Sequence, residues 1–192
     1  MGRMRRDREA PGAGFYDKRF KRVVTEEDEE SFAWRRERYG AVVPHIVGSS
    51  VLDLGCGLGL IAAQIDGRDY VGVDFSDYAV RYCKRFTKNP NARFEQADLR
   101  TWRPSRQFDT VLLLEVLEHV DKPTEVAKLA LEYAKMRVVA SVPREMPGSA
   151  HVWPKWTPAD LERMLGKLTA CELFGGKDND RWWLAVKDIE NA

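Results

Sequence analysis

The sequence predicts an α/β fold: a three-layer sandwich around a seven-stranded, mostly parallel sheet that ends in an antiparallel hairpin. Three observations predict it. Strand-length apolar runs alternate with helix-length amphipathic segments from Val51 to Val142, which is the pattern of a parallel sheet with helices on both faces. Phe108–Leu114 is almost wholly apolar, as a strand buried on both faces should be. The alternation then breaks. Leu168–Phe174 and Arg181–Lys187 are joined only by Gly175-Gly176-Lys177-Asp178-Asn179-Asp180, too short for a crossover helix, so these two strands pair antiparallel.

The elements follow in order. Residues 1–14 hold Pro11 and several glycines without a hydrophobic period and are expected to be a disordered basic tail. Residues 15–192 form one domain, divided into an N-terminal lid over 15–47 and a Rossmann-like core over 48–192. A helix is expected over Ser31–Ile46, anchored by Phe32, Trp34, Tyr39, Val42 and Val43 and disturbed by Pro44. Val51–Leu54 is strand one, residues 60–65 a short helix, and Tyr70–Asp74 strand two. Ser76 or Asp77 caps the next helix, whose buried side carries Ala79, Val80, Tyr82, Cys83 and Phe86. Ala92–Gln96 is strand three and Phe108–Leu114 strand four. A helix over Pro123–Ala134 and strand five over Arg137–Val142 follow. After an irregular loop, Thr157 caps a helix that has Pro158 at its first position.

Composition narrows the function classes. A formal net charge of +1 on 192 residues gives no global attraction to nucleic acid or membrane. The balance is local: residues 1–22 carry Arg3, Arg5, Arg6, Arg8, Lys18, Arg19, Lys21 and Arg22 against Asp7, Glu9 and Asp17, and an acidic run follows over Glu26–Glu30. Cys56, Cys83 and Cys171 are an odd number without metal-type spacing, which suits a reducing compartment. No apolar run approaches the ~20 residues that span a bilayer, and the N-terminal arginines precede no apolar signal core. A cytoplasmic protein, monomeric or homodimeric and without a membrane partner, is expected.

Val51-Leu52-Asp53-Leu54-Gly55-Cys56-Gly57-Leu58-Gly59-Leu60 is strand, glycine turn and helix start, the opening of a nucleotide-type site. A phosphate-gripping loop needs Gly-Lys-Ser/Thr, and Gly59-Leu60-Ile61 fails that test. A dinucleotide turn wants a third small residue where Leu60 stands. What remains is D-x-G-x-G-x-G over Asp53–Gly59. Asp74 closes strand two, nineteen residues after Gly55; Asp98-Leu99 follows strand three; Glu115-Val116-Leu117-Glu118-His119-Val120 follows strand four. With the terminal hairpin, this ordered set resembles class I S-adenosylmethionine-dependent methyltransferases of the ubiquinone-biosynthesis-like, small-molecule group, from Tyr16 onwards.

An ionised Asp74 at a strand tip offers two ribose hydroxyls a bidentate acceptor. Phe75 and Leu99 offer adenine apolar faces, and Asp98 an acceptor for its amino group. Ser76 joins this wall. Backbone N–H groups of Gly55, Cys56, Gly57 and Gly59, at the start of the following helix, approach the methionine end. The resemblance implies that Asp53 lies near the cofactor's amino group, that Leu114 and Glu115 border the methionyl part, and that Tyr16 closes over the cofactor.

The transfer is an in-line displacement that needs an aligned nucleophile and, for a hydroxyl, a base. His119 is the candidate general base, at the carboxyl edge of the sheet; Glu118 and His151 are the other candidate catalytic groups. Glu115, Glu118 and His119 share a face if their segment is one helical turn. With His151 they form a candidate divalent-metal set, and Glu-x-x-Glu-His with a later His before Trp156-Thr157 resembles small-RNA 3′-terminal 2′-O-methyltransferases. The expected acceptor is a small molecule bearing a hydroxyl or amine, and RNA ribose is the alternative. A non-catalytic methyltransferase-like module is the alternative of another class, against which the intact glycine motif and Asp74 argue. Trp34, Trp153 and Trp156 are candidates for an aromatic wall around the acceptor.

Overall fold

The computed structural model describes residues 9–26, 38–146, 150–174 and 182–190. Among them are four long helices and seven strands: α1 (Ala13–Glu26), β1 (Ser50–Leu54), β2 (Asp69–Asp74), α2 (Asp77–Phe86), β3 (Ala92–Gln96), β4 (Phe108–Leu114), α3 (Pro123–Tyr133), β5 (Ala134–Pro143), α4 (Pro158–Leu165), β6 (Ala170–Phe174) and β7 (Trp182–Asp188). The strands form one sheet in the order β3-β2-β1-β4-β5-β7-β6. The first five run parallel. β7 pairs antiparallel with both β5 and β6, which is the expected terminal hairpin. The turn between the last two strands, and the first part of the helix expected over Ser31–Ile46, lie outside the described residues.

β1 and β4 are central and buried along nearly their whole length. Their side chains divide by parity. Leu52, Leu54, Val111 and Leu113 pack with Val126, Ala130, Leu161 and Trp156 on one face of the sheet. Val51, Leu112 and Leu114 pack with Val42, Ile61, Val80 and Cys83 on the other. Burying each such aliphatic side chain stabilises the fold by about 1.5–3 kcal/mol, so register is specified from both faces. Local signals set the helix starts. Ser76 accepts from the Ala79 N–H at the N-cap of α2, and Thr157 with Asp160 forms a reciprocal capping box at α4.

Four expectations need correction. Residues 60–65 make a single 3₁₀ turn over Ala62–Gln64 rather than a helix, because Gly59 and Gly67 both take positive φ and leave too few residues between them to propagate one. On α2, Ala79, Val80 and Cys83 are buried as expected, but Tyr82 is half-buried and Phe86 is 55% exposed. Those two stack on each other at 4.7 Å, at the edge of the buried stripe. β5 starts earlier, at Ala134, directly where α3 ends. Part of the expected N-terminal tail is placed against the body: Ala10 N–H donates to Asp121 at 3.1 Å, and Ala13 and Gly14 belong to α1.

Gly72 in β2 lies beside Asp53 in the parallel register. A Cβ there would stand 2.8 Å from Phe94 Cδ1 and 2.9 Å from Cys56 Sγ. Gly72→Ala is therefore expected to lower stability by about 1–3 kcal/mol through overpacking, read as a lower urea midpoint at unchanged slope.

Candidate functional site

A cavity of about 820 Å³ opens where β1, β2, β3 and β4 end at their carboxyl edge, and α1 covers it. This is where an open parallel sheet binds its ligands, because the loops diverge there. The glycine turn after β1 forms the floor. Gly55 holds φ +85°, and a Cβ on it would meet Val116 Cγ2 at 2.5 Å, so only glycine fits. Gly55 and Cys56 N–H groups donate to the Val73 carbonyl, and the Gly57 N–H donates to Asp74 Oδ2 at 2.9 Å. Asp74 Oδ1 accepts from the Ser76 N–H at 2.9 Å. One carboxylate thus joins the turn after β1 to the start of α2. Burial pushes Asp74 up from the ordinary carboxylate range, and the two backbone donors oppose that shift.

Asp53 is buried under the same turn. Its Oδ2 accepts from the Tyr70 hydroxyl at 2.5 Å, while Oδ1 has no hydrogen-bond partner among the described residues. Burial is the main cause that raises its pKa to about 7; the Tyr70 hydrogen bond pulls it down and the Asp74 charge adds to the rise. On the opposite wall, Asp98 is held in a bidentate pair by Arg100, whose hydrogen bonds keep it below the usual range.

α1 lies over this cavity and is fastened by Asp17, which accepts from Ser76 Oγ at 2.6 Å and from the Tyr78 N–H at 3.2 Å. Its Tyr16 ring packs 5.1 Å from Phe75 and, edge-on, 5.6 Å from His119. The Tyr16 hydroxyl is buried without a partner among the described residues, and burial followed by the Glu118 charge pushes its pKa up.

The segment after β4 is bent, not helical as a whole. Glu115 takes φ +58°, strained backbone for a residue with a side chain, and only Leu117–His119 form a 3₁₀ turn. Glu115 is therefore turned away from its expected partners. Its carboxylate accepts from Ser141 Oγ at 2.8 Å and from the Trp182 indole, and lies 3.6 Å from the Arg38 guanidinium, itself packed over the Tyr39 and Trp182 rings. Glu118, His119 and His151 do converge, with one possible ligand atom from each within 4.8 Å of the others. His119 Nδ1 lies 2.9 Å from the Ala150 carbonyl and His151 Nδ1 lies 2.5 Å from the Met146 carbonyl. A carbonyl only accepts, so both Nδ1 atoms carry a proton. Burial lowers the His119 pKa to about 3, which keeps the ring neutral. Glu118 is 0% exposed, and neither carboxyl oxygen has a geometric hydrogen-bond partner among the described residues; His119 Nε2 lies 3.8 Å from Oε1. Burial, then repulsion from Glu115, pushes Glu118 well up.

Of the residues expected from sequence, Tyr16, Asp53, Gly55, Cys56, Gly57, Asp74, Phe75, Asp98, Leu99, Leu114, Glu115, His119 and His151 line this one cavity. Three do not. Gly59 lies behind the turn against Cys83 and Phe94, Ser76 is the fully buried N-cap of α2, and Glu118 sits behind His119. The aromatic wall is also different. Trp156 is core, Trp153 packs against the core with its indole donating to the Val120 carbonyl, and Trp34 lies outside the described residues. Trp182, Phe20, Arg19, Arg38 and Asp121 line the cavity instead. None was expected to line the site: Arg38 and Trp182 stand far in sequence from any motif, Asp121 lies just past the Glu115–Val120 motif, and Arg19 and Phe20 belong to α1, to which only the amphipathic period of residues 13–26 points.

The mixed sheet with its terminal hairpin, the glycine turn and the strand-tip Asp74 define a class I S-adenosylmethionine-dependent methyltransferase. Residues 15–183 match the family described as "Methyltransferase domain", and the chain belongs to it. Ubiquinone biosynthesis O-methyltransferase of Rhodopseudomonas palustris is 30% identical over 179 residues, covering 78% of this chain and 71% of that protein. Two solved structures share the fold: magnesium protoporphyrin IX methyltransferase from Synechocystis with bound SAH (TM-score 0.71, 17% identity, 92% of this chain and 94% of that one) and N-methyltransferase NodS from Bradyrhizobium japonicum with S-adenosyl-l-homocysteine (TM-score 0.73, 15% identity, 90% and 97%). No described helix is long and apolar enough to cross a membrane.

Removing the Tyr70 hydroxyl leaves Asp53 without that donor. Tyr70→Phe is expected to cost about 1–3 kcal/mol, more at pH 8 than at pH 5. Above pH 7 the Asp53 carboxylate is ionised and loses a donor, whereas below it the carboxyl is protonated. Chemical denaturation of both proteins at the two pH values checks the sign.

Proposed function

We propose that this protein transfers the methyl group of S-adenosylmethionine to a hydroxyl or amine of a small molecule, in the cytoplasm. The observation that carries the reading is the cavity itself: buried acceptors, Asp53 Oδ1 above all, face it without a partner, beneath a backbone turn that only glycine can make. Such orphans are costly unless a polar ligand completes them. The cofactor supplies an electrophilic methyl group on a sulfonium. Asp74 accepts from the ribose hydroxyls, Phe75 and Leu99 cover the adenine, and Asp98 accepts from its amino group. Asp53 faces the amino group of the methionyl part, which Gly55, Cys56, Gly57, Leu114 and Glu115 border. Tyr16 closes the lid. The relative from Rhodopseudomonas palustris is an O-methyltransferase of ubiquinone biosynthesis, which supports a small-molecule acceptor.

His119 takes the acceptor's proton through its free Nε2. Its weakened basicity suffices for a hydroxyl, because the oxygen's proton becomes strongly acidic as the methyl group arrives. A second reading is favoured by Glu118. Glu118, His119 and His151 offer a carboxyl group and two imidazoles whose Nδ1 atoms are engaged by carbonyls, the donor set of a divalent cation, and a cation would complete the buried Glu118 oxygens. Bound there, it would polarise an acceptor hydroxyl. Glu115, held by Ser141, Trp182 and Arg38, is not part of that set.

Isothermal titration should give micromolar or tighter binding of S-adenosylmethionine. Asp74→Ala should weaken it at least ~tenfold, since two charge-assisted bonds go. No binding to the wild type refutes the assignment, and binding without methyl transfer to any pool of a fractionated extract supports a non-catalytic module. Label entering RNA supports the ribose alternative.

His119→Ala should lower turnover by ~10²-fold or more with cofactor affinity unchanged. Magnesium or manganese titrated into chelator-treated protein separates the two roles. Heat of binding that disappears in Glu118→Gln supports the cation, and activity indifferent to chelator with no such heat leaves His119 as the base.

A further inference from the structure

Two thiols meet beneath the glycine turn. Cys56 is the middle residue of Gly55-Cys56-Gly57 and lines the cavity, whereas Cys83 lies on the second turn of α2, fully buried. Both sulfurs face one acceptor. Cys83 Sγ stands 3.2 Å from the Gly57 carbonyl oxygen and Cys56 Sγ stands 3.9 Å from it, so the two thiols border the same oxygen. Their other sides are walled. A Cβ on Gly72 would come within 2.9 Å of Cys56 Sγ, and one on Gly59 within 2.9 Å of Cys83 Sγ. The methyl-transfer reading uses neither thiol for chemistry.

We propose that Cys56 and Cys83 form a reversible disulfide that switches the cofactor site off, with hydrogen peroxide as the oxidant. The proposal rests on the cofactor reading of the cavity. The Cys56 thiol, which reaches the cavity wall, reduces the peroxide O–O bond and becomes a sulfenic acid as one water leaves. The Cys83 thiol attacks that sulfur, the S–S bond forms and a second water leaves. The two thiols supply two electrons and two protons to the peroxide, and a dithiol reductant returns them.

The disulfide bond is about 2.05 Å long, far shorter than a thiol–thiol contact, so something must move. Cys83 is fixed in a hydrogen-bonded helix, whereas Cys56 sits between two glycines. The turn is the part that yields, and its movement draws the Gly57 N–H away from Asp74. By linkage, a bound cofactor opposes disulfide formation to the same degree that the disulfide weakens binding. Contact with Cys83 and burial push the Cys56 thiol up, so little thiolate is present and the linkage forms slowly.

The test treats the reduced full-length protein with excess hydrogen peroxide, maps peptides without reduction, and titrates S-adenosylmethionine before and after. A linked Cys56–Cys83 peptide is expected, with affinity at least ~tenfold weaker, recovery with dithiothreitol, and slower linkage when cofactor is present. Cys83→Ala should bind cofactor normally and keep its affinity through peroxide. The absence of the linked peptide, a linked protein with unchanged affinity, or equal loss in Cys83→Ala each overturns the switch. A reduced wild type that binds no cofactor overturns the cofactor reading and the switch together.

Discussion

The carboxylate of Asp74 holds the site together. It stands at the tip of β2 and takes one N–H from the turn after β1 and one from the start of α2. Those bonds set the distance between the glycine turn and the helix that flanks it, and the Ser76 hydroxyl carries the same chain of contacts on to Asp17 in the lid. Strand, turn, helix and lid are thus coupled through one buried group. Charge-assisted bonds to backbone donors are stronger than neutral ones and cost no side-chain entropy on the donor side, which is why a single carboxylate can organise four elements.

The same region concentrates electrostatic cost. Asp53, Asp74 and Glu118 are all buried carboxyl groups, and desolvation is the leading cause of the upward shift of each. Glu115 adds strained backbone beside them. A fold retains such features only where a ligand or a reaction uses them. In Asp74 the cost is offset by backbone donors, and in Asp53 by Tyr70. In Glu118 the Arg38 and Arg19 charges oppose the shift without cancelling it, and the two imidazoles beside it are held by carbonyls.

Much of this was legible along the chain. The seven strands, the antiparallel ending and the caps at Ser76 and Thr157 follow from periodicity and turn chemistry, and the glycine turn with Asp74 follows from a motif whose members are close in sequence. The misreadings share one cause. Phe86 lies on an amphipathic period, but its burial is decided by which face of α2 meets the sheet, and Trp156, in the loop before α4, packs into the core. Glu115 was placed with Glu118 and His119 by helical spacing, but Trp182, Ser141 and Arg38 hold it elsewhere. The helix expected after Gly59 shrinks to a 3₁₀ turn because the chain must return to β2 within a few residues.

By itself the sequence determined the class of sheet and the chemistry of the donor end, because hydrophobic period and glycine spacing act over a few residues and leave a readable pattern. Only the tertiary structure decided the acceptor end. His119 and His151 come from different loops, Arg19 and Phe20 from a helix before the core, and Trp182 from the last strand. Packing brings these together across the carboxyl edge of the sheet, and no local interaction encodes that meeting. The pairing of Cys56 with Cys83 is of the same kind: each reads alone as a small buried residue, and only the seating of α2 against the turn makes them neighbours.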